Sequence, residues 1–266
     1  MSEVDMKLSM LKKKLFVVAL IACGVAVLAT VAVLATDSVT EAKTQFELGQ
    51  RYAEKKDYTE AAKCYRKAAE RGNKDAQFKL GECYDHGNGV AMDSKEMVYW
   101  FRKSAEQGHV KAQHTLGKLY AEGFGVEQNY QQAVYWWKKS AEQGDGDAQY
   151  DLGMASFVDR YGVKDKKQAV YWFRKSAEQG HAKAQYMLGL ANVEGFGTEK
   201  DYKQAAYWFR KSAEQGNADA QFKLGLLYLT GWGIEKDYRQ GGYWIKKSAD
   251  QGNEGAKALW EKITSY

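Results

Sequence analysis

The stretch WFRKSAEQG at 172–180 decides the fold, because it recurs. The same string stands at 100–108 and 208–216, WWKKSAEQG at 136–144 and WIKKSADQG at 244–252, with a step of 36 residues each time. Five of the eight tryptophans (Trp100, Trp136, Trp172, Trp208 and Trp244) share one register. A period of this size marks an array of small supersecondary units, and it precedes any reading of residue chemistry.

Each unit reads as two helices. In the first, Ala112, Leu116, Leu119 and Tyr120 lie at i, i+4, i+7 and i+8, one face of a 3.6-residue period. It stops at a glycine loop such as Gly123-Phe124-Gly125-Val126, since glycine takes the left-handed conformation that closes a helix. The second helix opens with a capping box in every copy: Asp57/Glu60, Asp93/Glu96, Asn129/Gln132, Asp165/Gln168, Asp201/Gln204 and Asp237/Gln240. Its buried stripe is Tyr130, Ala133, Trp136, Trp137, Ser140 and Ala141, and Gly144 ends it. The residue after that glycine (Asn73, His109, Asp145, His181, Asn217 or Asn253) is placed to cap the next first helix.

The expected layout is therefore all-α. Five 36-residue units occupy 76–111, 112–147, 148–183, 184–219 and 220–255, after a shorter unit at 44–75. A partial helix at 256–266 is expected to cover the last unit with Leu259, Trp260 and Ile263. No unit buries its stripe alone, so stacking must supply the core.

Composition agrees with a period. The 266 residues include 26 Gly and no Pro, so no proline-rich linker or docking segment exists. With 27% charged and 14% aromatic residues the chain is not of the disordered class. Net charge is +5, of which +2 lies in residues 1–36 and +3 in 37–266. A body so balanced is not an electrostatic nucleic-acid binder.

Residues 1–14 form a basic N-terminus, with Lys12, Lys13 and Lys14 just before an uncharged stretch, Leu15 to Thr36. Those 22 residues would span ~33 Å as a helix, enough for a bilayer. The positive-inside rule keeps 1–14 in the cytosol and sends 37–266 across the membrane. Three forms of this segment stay open: an uncleaved anchor over 15–36, a signal peptide cut after Ala35, and a lipoprotein modified at Cys23. Ser38-Val39-Thr40-Glu41 then stands ready to cap the first helix close to the bilayer.

The A-Q-x-x-L-G-x-x-Y-x-x-G-x-G-V and W-F-R-K-S-A-E-Q-G strings resemble the Sel-one-like repeats, a subgroup of the tetratricopeptide-type helical solenoids. The resemblance covers about 44–255. It implies a right-handed α-α superhelical solenoid that acts as an adaptor for proteins, often in envelope or secretory compartments. One group of the family is cysteine-rich, carries a paired disulfide in its repeats, and is reported to bind or hydrolyse β-lactams. Here Cys64 and Cys83 stand where later units have Trp and Leu or Ala, so both read as core residues, with a disulfide between them left open.

Catalytic candidates are poor, and no enzyme is expected. His109 and His181 occupy the capping position, His86 lies beside a loop glycine, and His114 is expected to face outward on a first helix. Ser104, Ser140, Ser176, Ser212 and Ser248 repeat in a packing register and read as structural. No metal-ligand spacing, serine elbow or phosphate loop occurs, so neither a cofactor nor a metal is expected.

Function is sought where the copies differ. The resemblance implies that the first helices line a concave surface with the third, seventh and tenth unit residues. Along the array these are Phe78/Glu82/Asp85, His114/Lys118/Ala121, Tyr150/Met154/Phe157, Tyr186/Leu190/Val193 and Phe222/Leu226/Leu229. The last three rows are wholly apolar or aromatic. They are expected to form a groove for an apolar peptide or partner helix, unless superhelical curvature buries them. Ser156 and Asn192 replace the ninth-position Tyr in the same region, and Asp159 replaces a loop glycine. A binding hinge around 150–193, with Ser156 and Asn192 facing the ligand, is the expectation.

The leading functional expectation is a non-enzymatic adaptor in the bacterial periplasm, held to the inner membrane by residues 15–36 and binding another protein. The chain also resembles immunity proteins that neutralise secreted (type VI) phospholipase effectors. A β-lactam-binding repeat protein is the remaining alternative.

Overall fold

The computed structural model describes residues 38–265. The proposed membrane or signal segment at 15–36 lies outside the described residues. Among those described, no helix is long and apolar enough to cross a membrane. Among the described residues thirteen α-helices follow one another without a strand: α1 (38–54), α2 (Tyr58–Glu70), α3 (Lys74–His86), α4 (Ser94–Glu106), α5 (Val110–Glu122), α6 (Tyr130–Glu142), α7 (Gly146–Phe157), α8 (Lys166–Glu178), α9 (Ala182–Glu194), α10 (Tyr202–Glu214), α11 (Ala218–Thr230), α12 (Tyr238–Asp250) and α13 (Glu254–Thr264). One 3₁₀ turn, Asp159–Tyr161, follows α7. The described residues divide into two compact units, one up to Ser104 and one from Ala105.

The helix starts are fixed as the sequence requires. Asn73, His109, Asp145, His181, Asn217 and Asn253 each accept the amide three residues on, from Ala76, Ala112, Ala148, Ala184, Ala220 and Ala256. The second helices are capped by Asp57, Asp93, Asn129, Asp165, Asp201 and Asp237. The expected return bond from the Glu of the box is replaced in the first two copies. Glu60 pairs with Lys63, and Glu96 accepts the indole N–H of Trp100.

The periodic small residues explain how closely the helices approach. In the second unit a Cβ on Gly153 would lie 2.6 Å from the Phe173 ring, and one on Gly225 would lie 2.7 Å from Ile245 Cδ1. In the first unit Gly81 meets Phe101 at 2.6 Å in the same way. A first helix can thus seat its backbone on the large side chain of the following second helix. The repeated serines hold that seat. Ser140, Ser176, Ser212 and Ser248 are wholly buried and donate to the carbonyls of Val110, Gly146, Ala182 and Ala218, at 2.6–2.9 Å. Ser104 does the same to Lys74 in the first unit.

The sequence reading left one ladder unnoticed. The Gln of each Ala-Gln pair is buried: Gln77, Gln113, Gln149, Gln185 and Gln221 donate to Ala69, Ala105, Ala141, Ala177 and Ala213. The amide oxygens of the last four accept from Gln143, Gln179, Gln215 and Gln251, the glutamines of the Gln-Gly stops. Buried amides must be paired to be tolerated, and in those four both ends are.

Two further expectations change. In the shorter first repeat, Lys56 takes φ +61° where longer loops use glycine. At the C-terminal end Leu259 and Trp260 pack against the Ile245 cluster, whereas Ile263 is 42% exposed. Cys64 and Cys83 are core residues, both free thiols, and burial pushes the Cys83 thiol up to about 11.

Candidate functional site

The nine residues expected to form a groove lie on α7, α9 and α11, and all nine are half-buried. They are neither the exposed floor of an open channel nor fully enclosed. Their inner edges are part of the packing. Tyr150, Met154, Phe157, Tyr186 and Leu190 surround Phe173 and Met187, while Phe222, Leu226 and Leu229 surround Ile245. Tyr150 tilts on Phe173 with ring centres 6.0 Å apart, and Tyr186 on Phe209 at 5.9 Å. Val193 packs against the Phe209 cluster. Each third-position aromatic therefore props up the large residue that its helix glycine admits, and shows its other edge to solvent.

Ser156 and Asn192 do not face a ligand. They are 5% and 4% exposed. Ser156 Oγ donates to the Leu152 carbonyl at 2.9 Å, and Asn192 Nδ2 to the Leu188 carbonyl at 2.7 Å. A polar side chain that bonds back into its own helix removes most of the cost of burial, which is how these two replace a tyrosine. The helices run unbroken through both positions, so neither residue marks a hinge. The irregular loop is rebuilt as well. Val158 is extended, Asp159–Tyr161 make the 3₁₀ turn, and Gly162 at φ +70° closes it. Tyr161 then packs edge-on to Tyr130 and Trp137, at 5.0 and 5.6 Å.

Next to Tyr150 the same face turns polar, which the sequence reading missed. A cavity of about 430 Å³ is lined by His114 and Lys118 of α5, by Asp147, Tyr150 and Asp151 of α7, and by His181, Ala182 and Lys183 at the start of α9. His114 does not face outward into solvent as expected. Its side chain is 16% exposed and its Nε2 lies 2.7 Å from Asp151 Oδ2. His181 stacks on Tyr150 with centres 4.7 Å apart, and its Nε2 lies 3.3 Å from Asp147 Oδ1. The signal was available in the copies: position 151 is Asp, where the other first helices carry Lys79, Thr115, Met187 and Lys223.

His181 combines two roles that need a neutral ring. Its Nδ1 accepts the Ala184 amide, so the proton sits on Nε2, towards Asp147. Burial holds its pKa below the ordinary imidazole value, with Asp147 and Asp151 opposing the shift. The unfolded chain then binds more protons than the folded one below the ordinary value of about 6.5, so stability falls as the pH drops through that window. Urea midpoints at pH 7 and pH 5 should drop further for wild type than for His181→Asn, which keeps the cap that Asn217 and Asn253 provide elsewhere. Equal drops would place the sensitivity in another group.

On the opposite helices Tyr135, Tyr171, Tyr207 and Tyr243 are about half exposed. Each stands edge-on to the next-residue Trp and lies under the Lys four residues on, at 5.5–5.8 Å. The same contacts stand at Tyr99 and Trp100, whereas the first repeat has Lys63 and Cys64 at these positions.

Comparison with known proteins follows the same repeat. The Sel1 repeat model matches at 42–73, 74–109, 110–145, 146–181, 182–217 and 218–253. No functionally curated protein matches the chain in sequence. Among solved structures, a protective antigen of uropathogenic Escherichia coli strains displaying an SLR fold is 37% identical with a TM-score of 0.80. The match covers 84% of this chain, which spans about half (49%) of that protein. A Sel1 repeat protein from Oxalobacter formigenes is 33% identical with a TM-score of 0.75, covering 80% of this chain and 88% of its own. With six consecutive repeats matched, a glycine seat and serine clasp recurring along them, and two relatives above 30% identity, the chain belongs to the Sel1 repeat family.

Proposed function

We propose that the protein is a non-enzymatic binding scaffold that holds an apolar segment of a partner protein on the first-helix face of α7, α9 and α11. One observation carries the reading: nine contiguous apolar or aromatic side chains stay half open to solvent, while the stripe residues beside them are fully buried. A face of this kind supplies anchors for a helix or extended peptide without any change of backbone. The apolar stretch at 15–36 supports export, so the partner is sought in the bacterial envelope.

The test is site-specific photo-crosslinking in cells. A crosslinking residue at Leu190 or Leu226 should give a defined adduct with one envelope protein, and one at Tyr207 should not. Leu190→Glu should weaken retention of that protein about tenfold, equivalent to ~1.4 kcal/mol, with helical content unchanged. Adducts from position 207 alone, or undiminished retention by folded Leu190→Glu, would exclude this face.

A further inference from the structure

We infer that His114 and Asp147, which line the polar cavity beside Tyr150, together with the neighbouring Asp145 hold a divalent metal ion of the zinc type. Donor atoms of these three residues lie within 4.8 Å of one another. Carboxylates at a helix start are ordinary by themselves, since they oppose the helix dipole. The imidazole is not ordinary. The other first helices carry Phe78, Tyr150, Tyr186 and Phe222 at the place of His114, so this histidine is a departure from the packing rule of the array.

Each of the three residues also has one polar atom engaged by a neighbour. His114 Nε2 is engaged by Asp151 at 2.7 Å, leaving Nδ1. Asp145 Oδ1 accepts the Ala148 amide at 2.7 Å, leaving Oδ2. Asp147 Oδ1 meets His181 Nε2 at 3.3 Å, leaving Oδ2. A carboxylate behind a ligating histidine fixes its tautomer and raises its basicity, the usual arrangement around protein-bound zinc. One nitrogen and two carboxylate oxygens suit a borderline ion better than calcium or magnesium, which prefer oxygen alone.

The surroundings are compatible with an ion. The cavity of about 430 Å³ has room for water to complete the coordination. Three carboxylates (Asp145, Asp147 and Asp151) outweigh the ammonium groups of Lys118 and Lys183. Tetrahedral bonds of about 2.0–2.2 Å need donors roughly 3.4 Å apart, so the side chains must close slightly. Asp147 is 69% exposed on its side chain, so solvent rather than packing surrounds most of it.

The array provides its own controls. Full-length protein without a histidine tag, in detergent, is titrated with Zn2+ by calorimetry. Wild type should show one saturable site per chain. His114→Phe restores the residue found at Phe78 and Phe222, and Asp147→Lys the residue found at Lys111 and Lys183; both should keep the wild-type unfolding temperature in chelator and lose the site. Asp151→Asn should bind about 10–100-fold more weakly. Absence of one-to-one binding in wild type, or wild-type affinity in His114→Phe and Asp147→Lys, would overturn the assignment.

Discussion

Gly197→Ala should destabilise the protein by about 3 kcal/mol or more, among the largest effects a single added methyl can have. Two causes add. Gly197 sits at φ +66°, where an L-residue is penalised by roughly 1–2 kcal/mol. Its Cβ would also run into the carbonyl of Lys166, which is helix backbone and cannot swing away. Gly233 meets the carbonyl of Tyr202 in the same manner one repeat later. The control is Gly180→Ala. Gly180 has φ +94°, but a Cβ there would meet nothing within 4 Å. It should therefore cost only the conformational part, about 1–2 kcal/mol. Urea unfolding followed by circular dichroism separates the two. Equal midpoints would mean that the loop moves off the helix at little cost.

Phe173→Ala is the second large effect, expected at about 3–5 kcal/mol. Phe173 is fully buried and lies at the centre of the cluster that includes Tyr150, Met154, Tyr186 and Leu190. Removing the ring leaves a cavity beside Gly153, where the Ala169 carbonyl is then the nearest remaining neighbour. It also unseats the side chains of the proposed docking face. Phe173→Ile should cost less, up to about 1.5 kcal/mol, because a large aliphatic residue already fills this register as Ile245. If the alanine and isoleucine variants unfold together, the ring is not the support described above. Each repeat contacts its neighbours, so either loss should spread beyond its own unit.

The repeating parts of the fold were legible because each rests on local chemistry. An Asx side chain before a helix, a glycine after it and an apolar residue every third or fourth position act within one or two turns. The departures were less legible. Ser156 and Asn192 stood out as polar residues in apolar positions, yet bonds four residues back, to Leu152 and Leu188, satisfy them. Asp159 marked an irregular loop, but nothing local shows that Tyr161 of that loop packs on Tyr130 and Trp137. Trp137 fills a register held elsewhere by Phe101, Phe173, Phe209 and Ile245, and its indole N–H is buried without a partner.

The polar cavity was the least legible. His114 and Asp151 are 37 residues apart, one repeat plus one residue, and no local rule joins them. Their meeting depends on how far α7 is offset from α5, which Gly117, Gly153 and the large side chains seated against them determine.

By itself the sequence determined the all-α repeat, its caps, its glycine stops and the stripe residues of its core, since caps and stops act within one or two turns and the stripe repeats in every unit. Only the tertiary structure decided what the variable positions do. It turned Ser156 and Asn192 inward, left nine apolar side chains half open, and brought His114, Asp147 and Asp151 to one cavity with Asp145 beside His114 and Asp147. The physical reason is distance. Propensity and capping act over a few residues, whereas the chemistry of a surface depends on side chains placed a full repeat apart by the packing between helices.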